Sequence, residues 1–125
     1  MRYCLLVLDD QIQYGRSLER ALRREFEIVL VANIAEAKEK LSAGINVVLS
    51  DIRLDESNPS DRQGLEFIQW LRSQNATIPI IAMSALDSAS LEQDALSAGA
   101  TKFLRKPIVV SQLKMLLQQL TEPKV

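Results

Sequence analysis

Three acidic residues and one lysine follow short apolar runs at separate points of the sequence. Asp9 and Asp10 come directly after the first run, Asp51 closes a later one, and Lys106 follows the last. A carboxylate directly after a short apolar run lies at the C-terminal end of a buried strand. If these strand ends share one edge of a sheet, the residues form an acidic pocket with one fixed cation. Such a pocket is suited to metal-assisted phosphoryl chemistry.

The chemistry of this pocket follows from its carboxylates. Carboxylates held close together repel, and a divalent cation removes that penalty. Mg²⁺ prefers oxygen ligands and commonly binds one or two carboxylates together with phosphate oxygens. The remaining acid can act as a nucleophile that forms an acyl phosphate. Lys106 can neutralise a phosphoryl oxygen, and Ser84, at the end of a further apolar run, offers a hydroxyl at the same edge.

Composition excludes several other kinds of site. The 125 residues contain no histidine, which excludes a histidine triad. With a single cysteine, Cys4, and no histidine, the composition also disfavours a zinc centre. The net charge of −1 and the absence of a basic, aromatic-rich patch give no reason to expect direct nucleic-acid binding. No apolar run approaches the roughly 20 residues of a membrane span. A single cysteine cannot form an internal disulfide, and we therefore expect a cytoplasmic protein without membrane contact.

Strand-like and helix-like patterns alternate along the whole chain. Five such units predict an α/β fold with a single doubly wound, five-stranded parallel sheet of order 2-1-3-4-5 and helices on both faces. In that order the ligand crevice lies between strands 1 and 3, beside the acids. The predicted strands are Tyr3–Leu8, Glu27–Val31, Val47–Leu49, Ile78–Met83 and Lys102–Arg105. The predicted helices are marked by Leu18, Ala21, Leu22 and Phe26; by Ile34, Ala37, Lys38 and Leu41, ending near Gly44; by Leu65, Ile68 and Leu71; by Leu91, Ala95 and Ala98, ending at Gly99; and by Leu113, Leu116, Leu117 and Leu120.

Each candidate residue also has a purely structural interpretation. An acid after a strand is usually a turn or helix-capping residue, and a lone lysine is usually a solvated charge. Ser84 could cap the helix that follows it. Acids, serine and lysine at four strand ends that face one crevice favour a functional site over coincidence.

The set of Asp9-Asp10, Asp51, Ser84-Ala85 and Lys106-Pro107 resembles the receiver domain of bacterial two-component response regulators. The resemblance covers residues 1–121 and leaves 122–125 as a tail or linker. It implies a flavodoxin-like fold in which Asp51 accepts a phosphoryl group from a partner histidine kinase or histidine phosphotransfer domain.

The resemblance also implies roles for individual residues. Mg²⁺ would be held by Asp9, Asp10, Asp51 and the carbonyl of Arg53. Lys106 would bind the phosphoryl oxygen. Ser84 and Phe103 would form a switch. After phosphorylation, Ser84 would turn inward to bond the phosphoryl group, and the Phe103 ring would follow it inward.

As such a domain, the chain would be a signalling module and not an enzyme. It would catalyse only its own phosphotransfer and a slow self-dephosphorylation, which a bulky Leu86 would hinder. Phosphorylation would shift the face formed by helix 4, strand 5 and helix 5. That shift would change binding to an output domain or effector protein. The resemblance is also compatible with a homodimer.

The segment after Asp51 departs from the family pattern. Asp55 stands where most receivers have proline, and Gly64-Leu65 comes later than usual, so that residues 55–63 form an extended loop. This loop is either a tolerated surface insertion or a segment that screens the pocket or contacts a specific kinase.

Two other functions are compatible with part of this residue pattern. A phosphatase resembling the haloacid dehalogenases would also form an aspartyl phosphate, but it would carry Asp-x-Asp after strand 1, where this chain has Asp9-Asp10-Gln11. A pseudo-receiver would bind a partner without phosphorylation. The complete set of acids, serine and lysine argues against it.

Overall fold

The computed structural model describes residues 2–41, 44–54, 61–86 and 89–121. Strands and helices alternate through these segments, as the sequence predicts. None of the helices in these ranges combines the length and apolar character that a membrane span requires. In chain order the elements are β1 (Tyr3–Leu8), α1 (Ile12–Leu22), β2 (Phe26–Val31), α2 (Ile34–Lys40), β3 (Val47–Asp51), α3 (Gln63–Gln74), β4 (Ile80–Ser84), α4 (Ala89–Ala98), β5 (Lys102–Arg105) and α5 (Val110–Thr121).

The five strands form one parallel sheet in the order β2-β1-β3-β4-β5. The predicted doubly wound topology is therefore confirmed. Leu8 pairs with Ser50, and Ser84 pairs with Arg105, so the C-terminal ends of four neighbouring strands finish close to one level. This level edge brings the strand-end side chains into one crevice.

Several element boundaries differ from the sequence-based prediction: β3 extends to Asp51 beyond the predicted end at Leu49, and β4 covers Ile80–Ser84 instead of Ile78–Met83. The assignment of Phe26 to the first helix is wrong. Helix α1 ends at Leu22, and a turn follows in which the N–H of Glu25 donates to Leu22 O. Phe26 is the first residue of β2 and pairs with Tyr3. The helical spacing misled because Phe26 packs into the same core as the buried side of α1. The second helix ends at Lys40, before the predicted stop near Gly44.

The core has two layers, one on each face of the sheet. Alternate residues of each strand project to opposite faces, so that each strand contributes to both layers. One layer lies between the sheet and helices α1 and α5, and it contains Leu5, Val7, Leu18, Leu22, Leu49, Met83, Leu113 and Leu117. The other lies against α2, α3 and α4, and it contains Leu6, Leu8, Val48, Phe67, Ile68, Ile80, Ala82 and Leu91.

Candidate functional site

The acids predicted from the sequence lie together at the C-terminal edge of the sheet. Asp9 follows β1 directly, and Asp51 is the last residue of β3. Asp9, Asp10 and Asp51 each place one carboxylate oxygen within 4.8 Å of those of the other two. Asp9 is fully buried, Asp51 is 2% exposed, and Asp10 is half-buried. The crevice thus contains a cluster of carboxylates that water reaches poorly.

Lys106 lies inside this cluster. Its Nζ is 2.8 Å from Asp9 Oδ2 and donates a hydrogen bond of 3.1 Å to Asp51 Oδ2, and its side chain is only 6% exposed. It also approaches Gln11 Oε1 at 3.5 Å. The backbone N–H of Gln11 donates to Asp9 Oδ1 at 2.8 Å, which fixes the orientation of the Asp9 carboxylate. Lys106 therefore joins the acids at the ends of β1 and β3 from the end of β5.

Burial and neighbouring charges change the proton affinity of both central groups. Burial raises the pKa of Asp51 to about 7; the Lys106 ammonium opposes this shift, while the carboxylates of Asp9 and Asp10 add to it. For Lys106, burial alone would lower the pKa, but the contacts with Asp9 and Asp51 outweigh it and leave the pKa raised. Lys106 is therefore cationic at neutral pH, whereas Asp51 without a metal is near its titration midpoint.

The donor set fits a hard divalent cation. Three carboxylates and one ammonium leave two negative charges in the crevice when all the acids are ionised. Asp9 Oδ2 is buried with Lys106 Nζ 2.8 Å from it, and a carboxylate oxygen in one such contact keeps a further lone pair for a cation. Oxygen donors of this kind match Mg²⁺ better than softer metals.

Ser84 ends β4 at the same edge of the sheet as the acids, and Phe103 lies on the neighbouring strand β5. Ser84 is the last residue of β4 and is 1% exposed; its Oγ accepts the N–H of Leu86 at 3.1 Å, and its carbonyl accepts the N–H of Lys106 at 2.8 Å. Phe103 is half-buried, pairs with Ala82 in the sheet and packs against the core under α2, α3 and α4. Their switch roles stay predictions.

Some predicted features have no structural test. Arg53 is half-buried two residues beyond Asp51, and its carbonyl as a metal ligand stays a prediction. Most of the extended loop, residues 55–60, and the tail, residues 122–125, lie outside the described residues.

Gly64 is a site-forming residue whose role the sequence did not reveal. Its N–H donates to Ile52 O at 2.8 Å, just beyond Asp51. A Cβ at this position would overlap the carbonyl oxygen of Asp51 and lie 2.5 Å from Ile52 Cα. Glycine therefore lets α3 begin directly against the end of β3. The Gly-Leu pair was visible in the sequence, but this contact depends on the folded chain.

Asp61 was also missed as a structural anchor. It is 5% exposed; Oδ2 accepts the N–H of Leu54 at 2.8 Å, and Oδ1 accepts the N–H of Gln63 at 2.9 Å. One carboxylate thus joins the residue before the extended loop to the first turn of α3. An acid shortly before a helix start is the sequence signal that could have identified it.

Tyr14 is a third residue that the sequence did not single out. Its ring centroid lies 4.8 Å from Lys106 Nζ, and its hydroxyl oxygen accepts the N–H of Ile108 at 2.8 Å. Because Ile108 is 94 positions away in sequence, no local pattern indicates this contact.

Known proteins resemble this chain in both sequence and fold. A family model described as the response regulator receiver domain matches residues 5–118. The transcriptional regulatory protein ZraR of Klebsiella oxytoca is 31% identical over 117 residues, which cover 92% of this chain and 25% of that protein. The chain spans about a quarter of the length of this curated relative.

Solved receiver structures share the fold. A two-component response regulator from Clostridium difficile superposes with a TM-score of 0.84 at 22% identity, over 95% of each chain. A structure titled as the BeF₃-activated DrrB receiver domain superposes with a TM-score of 0.86 at 18% identity, over 98% of this chain and 100% of that chain. The family match over most of the sequence and the shared five-stranded fold lead to one assignment: this chain belongs to the response regulator receiver domains of two-component signal transduction.

Proposed function

We propose that this chain is a cytoplasmic phosphorelay module in which Asp51 accepts a phosphoryl group from a phosphohistidine. The donor is a partner histidine kinase or a histidine phosphotransfer domain, since this chain has no histidine of its own. One observation carries the proposal: a buried aspartate at a strand end lies within a carboxylate cluster and accepts a hydrogen bond from a buried lysine. This arrangement supports nucleophilic attack by Asp51 beside a fixed positive charge.

The transfer needs little covalent chemistry from the protein. A carboxylate oxygen of Asp51 forms a bond to phosphorus as the phosphorus–nitrogen bond of the donor breaks. The departing imidazole nitrogen keeps the bonding electron pair. Any proton that it gains comes from solvent. The Lys106 ammonium binds an oxygen of the transferred group and offsets its charge.

Asp9, Asp10, Asp51 and the Arg53 carbonyl would hold Mg²⁺ in this reaction. When bound, the cation supplies charge neutralisation for the phosphoryl oxygens and for the acids themselves. The raised pKa of Asp51 supports this requirement, because near pH 7 much of the metal-free carboxyl is protonated and a protonated acid is a poor nucleophile. We therefore expect phosphorylation of Asp51 to depend on Mg²⁺.

Phosphorylation would be passed on through Ser84 and Phe103. The Ser84 hydroxyl would leave the Leu86 N–H to bond the phosphoryl group, and Phe103 would move inward behind it. The face of α4, β5 and α5 would then shift and change binding to an output domain or effector. Half-buried Leu86 would shield the phosphoryl group from water and slow its hydrolysis.

The proposal is tested with beryllium fluoride, a mimic of the phosphoryl group. We expect binding that requires Mg²⁺, measured by calorimetry, and its loss in Asp51→Asn. Asp94→Asn is the matched control, because Asp94 is exposed on α4, away from the acids, and should bind as the native chain does. Native protein that binds no beryllium fluoride would overturn the proposal in favour of a pseudo-receiver. Steady turnover of phosphate monoesters would instead indicate a phosphatase.

A further inference from the structure

The Lys106 ammonium of the proposed site depends on several side-chain contacts for its position. A lysine carries its charge at the end of a flexible four-carbon chain, so a buried site must fix that charge by contacts. Two contacts of Lys106 are with Asp9 and Asp51, which are also expected metal ligands. A bound cation would draw on the same carboxylates, so these contacts alone do not hold Lys106 in the working state.

Tyr14 contacts the Lys106 segment at two points without using a carboxylate. The ammonium lies 4.8 Å from the ring centroid, within the range of about 6 Å at which a cation is attracted to an aromatic face. The hydroxyl oxygen accepts the N–H of Ile108, two residues beyond Lys106, at 2.8 Å. The first contact holds the charge, and the second holds the backbone that carries it.

Tyr14 is itself firmly placed. It lies in the first turn of α1, is half-buried, and packs with Ile108 against the core under α1 and α5. The neighbouring Gly15 is buried, and a Cβ there would overlap a methyl group of Leu30 in β2. Gly15 thereby lets α1 lie close to β2 directly beside Tyr14.

We propose that Tyr14 is a positioning residue that holds the Lys106 ammonium where it meets the phosphoryl group. The inference rests on the proposed phosphoacceptor function of Asp51. Removing the ring frees the lysine side chain without removing its charge. Based on the strength of such contacts, we expect Tyr14→Leu to slow phosphorylation of Asp51 about tenfold.

The test is a double-mutant cycle with Lys106→Met, which removes the ammonium but keeps a long unbranched side chain. Phosphorylation by acetyl phosphate is measured at saturating Mg²⁺ in the native chain, both single variants and the double variant. We expect Tyr14→Leu to slow the reaction when Lys106 is present and to have no further effect in the Lys106→Met background. Equal slowing in both backgrounds, or no slowing with Lys106 present, would overturn the proposal. Tyr14→Phe keeps the ring and should lose less than Tyr14→Leu; an equal loss would reject the contact between ring and ammonium.

A second readout does not depend on phosphorylation. The Tyr14 ring should displace the proton NMR signals of the Lys106 ε-methylene group, and this displacement should persist in Tyr14→Phe and disappear in Tyr14→Leu. Its absence from the native spectrum would overturn the role of Tyr14 even if Asp51 is phosphorylated. Its presence in a chain that is not phosphorylated would reject the proposed function and leave the contact standing, so the two failures are distinguishable.

Discussion

At the scale of single residues, the acids at the strand ends work against folding. Asp51 is almost fully buried beside two other carboxylates, and among the described residues Lys106 is the cation that contacts it. A buried carboxylate that is incompletely neutralised disfavours its charged form, as the raised pKa of Asp51 indicates. Such a residue lowers stability in the absence of a metal, which fits a functional role better than a packing role.

The first prediction concerns the pH dependence of this penalty. The pKa of Asp51 rises from 3.8 to about 7 on folding, so its protonation favours the folded state fully below the lower value, and that benefit is lost as pH rises through the upper one. Without metal, Asp51→Asn should therefore stabilise the protein at pH 8 by on the order of 2 kcal/mol, and by less at pH 5.

Urea unfolding of the metal-free native chain and Asp51→Asn, at both pH values, provides the measurement. Asp94→Asn removes an exposed carboxylate and should leave the pH dependence as it is in the native chain. A stability difference between Asp51→Asn and the native chain that stays constant from pH 5 to pH 8 would contradict the raised pKa.

The sequence identified the residues that could carry the chemistry more readily than the residues that hold them in place. Asp9, Asp51 and Lys106 were visible because each follows an apolar run, and parallel strands collect their C-terminal ends at one edge. Tyr14 and Gly64 carry no such signal, because each acts through a contact with a residue that is near only in the folded chain. Local patterns predict which residues end a strand, whereas they do not predict what packs around those ends.

At the scale of elements, Asp61 and Gly64 fix the described ends of the connection between β3 and α3. Asp61 bonds Leu54 N–H before the extension and Gln63 N–H after it, so a single buried carboxylate closes both sides. Gly64 then brings the start of α3 against the Asp51 carbonyl. The described residues on both sides of this connection are therefore fixed next to the end of β3 that carries Asp51.

The second prediction is that Asp61 stabilises the start of α3. Asp61→Ala removes both acceptors and leaves two partly buried N–H groups without them, so we expect a loss of about 2 kcal/mol in the free energy of unfolding. Asp61→Asn keeps one carbonyl acceptor and should fall between alanine and the native chain. Equilibrium urea unfolding measures all three. An alanine variant as stable as the native chain would show that the carboxylate does not anchor this connection.

Element boundaries were less predictable than element order. The alternation of runs indicated all ten elements, and handedness then fixed the strand order, because few topologies satisfy right-handed crossovers. Phe26 was assigned to the wrong element because a helix and a following strand can bury apolar residues in one shared core. Spacing reports which residues are buried, and it does not report where the turn between two elements lies.

At the scale of the whole molecule, the two faces of the sheet carry different parts of the proposed site. Tyr14 and the aliphatic residues around α1 and α5 support the side on which Lys106 is held. Phe103 belongs to the opposite core, under α2, α3 and α4, and it pairs with Ala82, two residues before Ser84. The buried strand ends lie between these layers. Under the proposed switch, a change at Asp51 would reach the second layer through Ser84, whose carbonyl also accepts the N–H of Lys106 at 2.8 Å.

The third prediction joins metal binding to the stability of the entire domain. A ligand that binds only the folded state stabilises it, by about 2.7 kcal/mol at a hundred times its dissociation constant. Protons compete with Mg²⁺ for Asp51, whose metal-free pKa is about 7. We therefore expect the increase in melting temperature caused by a fixed Mg²⁺ concentration to be larger at pH 8 than at pH 6. The apparent affinity should fall by up to about tenfold per pH unit below the pKa.

Thermal unfolding followed by circular dichroism, with and without Mg²⁺ at each pH, measures this linkage. Asp51→Asn removes the titrating ligand, so its smaller Mg²⁺ response should be nearly the same at pH 6 and pH 8. Asp94→Asn should retain both the native response and its pH dependence. If the native chain gained equal stability from Mg²⁺ at both pH values, Asp51 would not be the ligand that couples protons to the metal. The cation would then be bound chiefly by Asp9 and Asp10, a result that the beryllium fluoride experiment on Asp51→Asn would check independently.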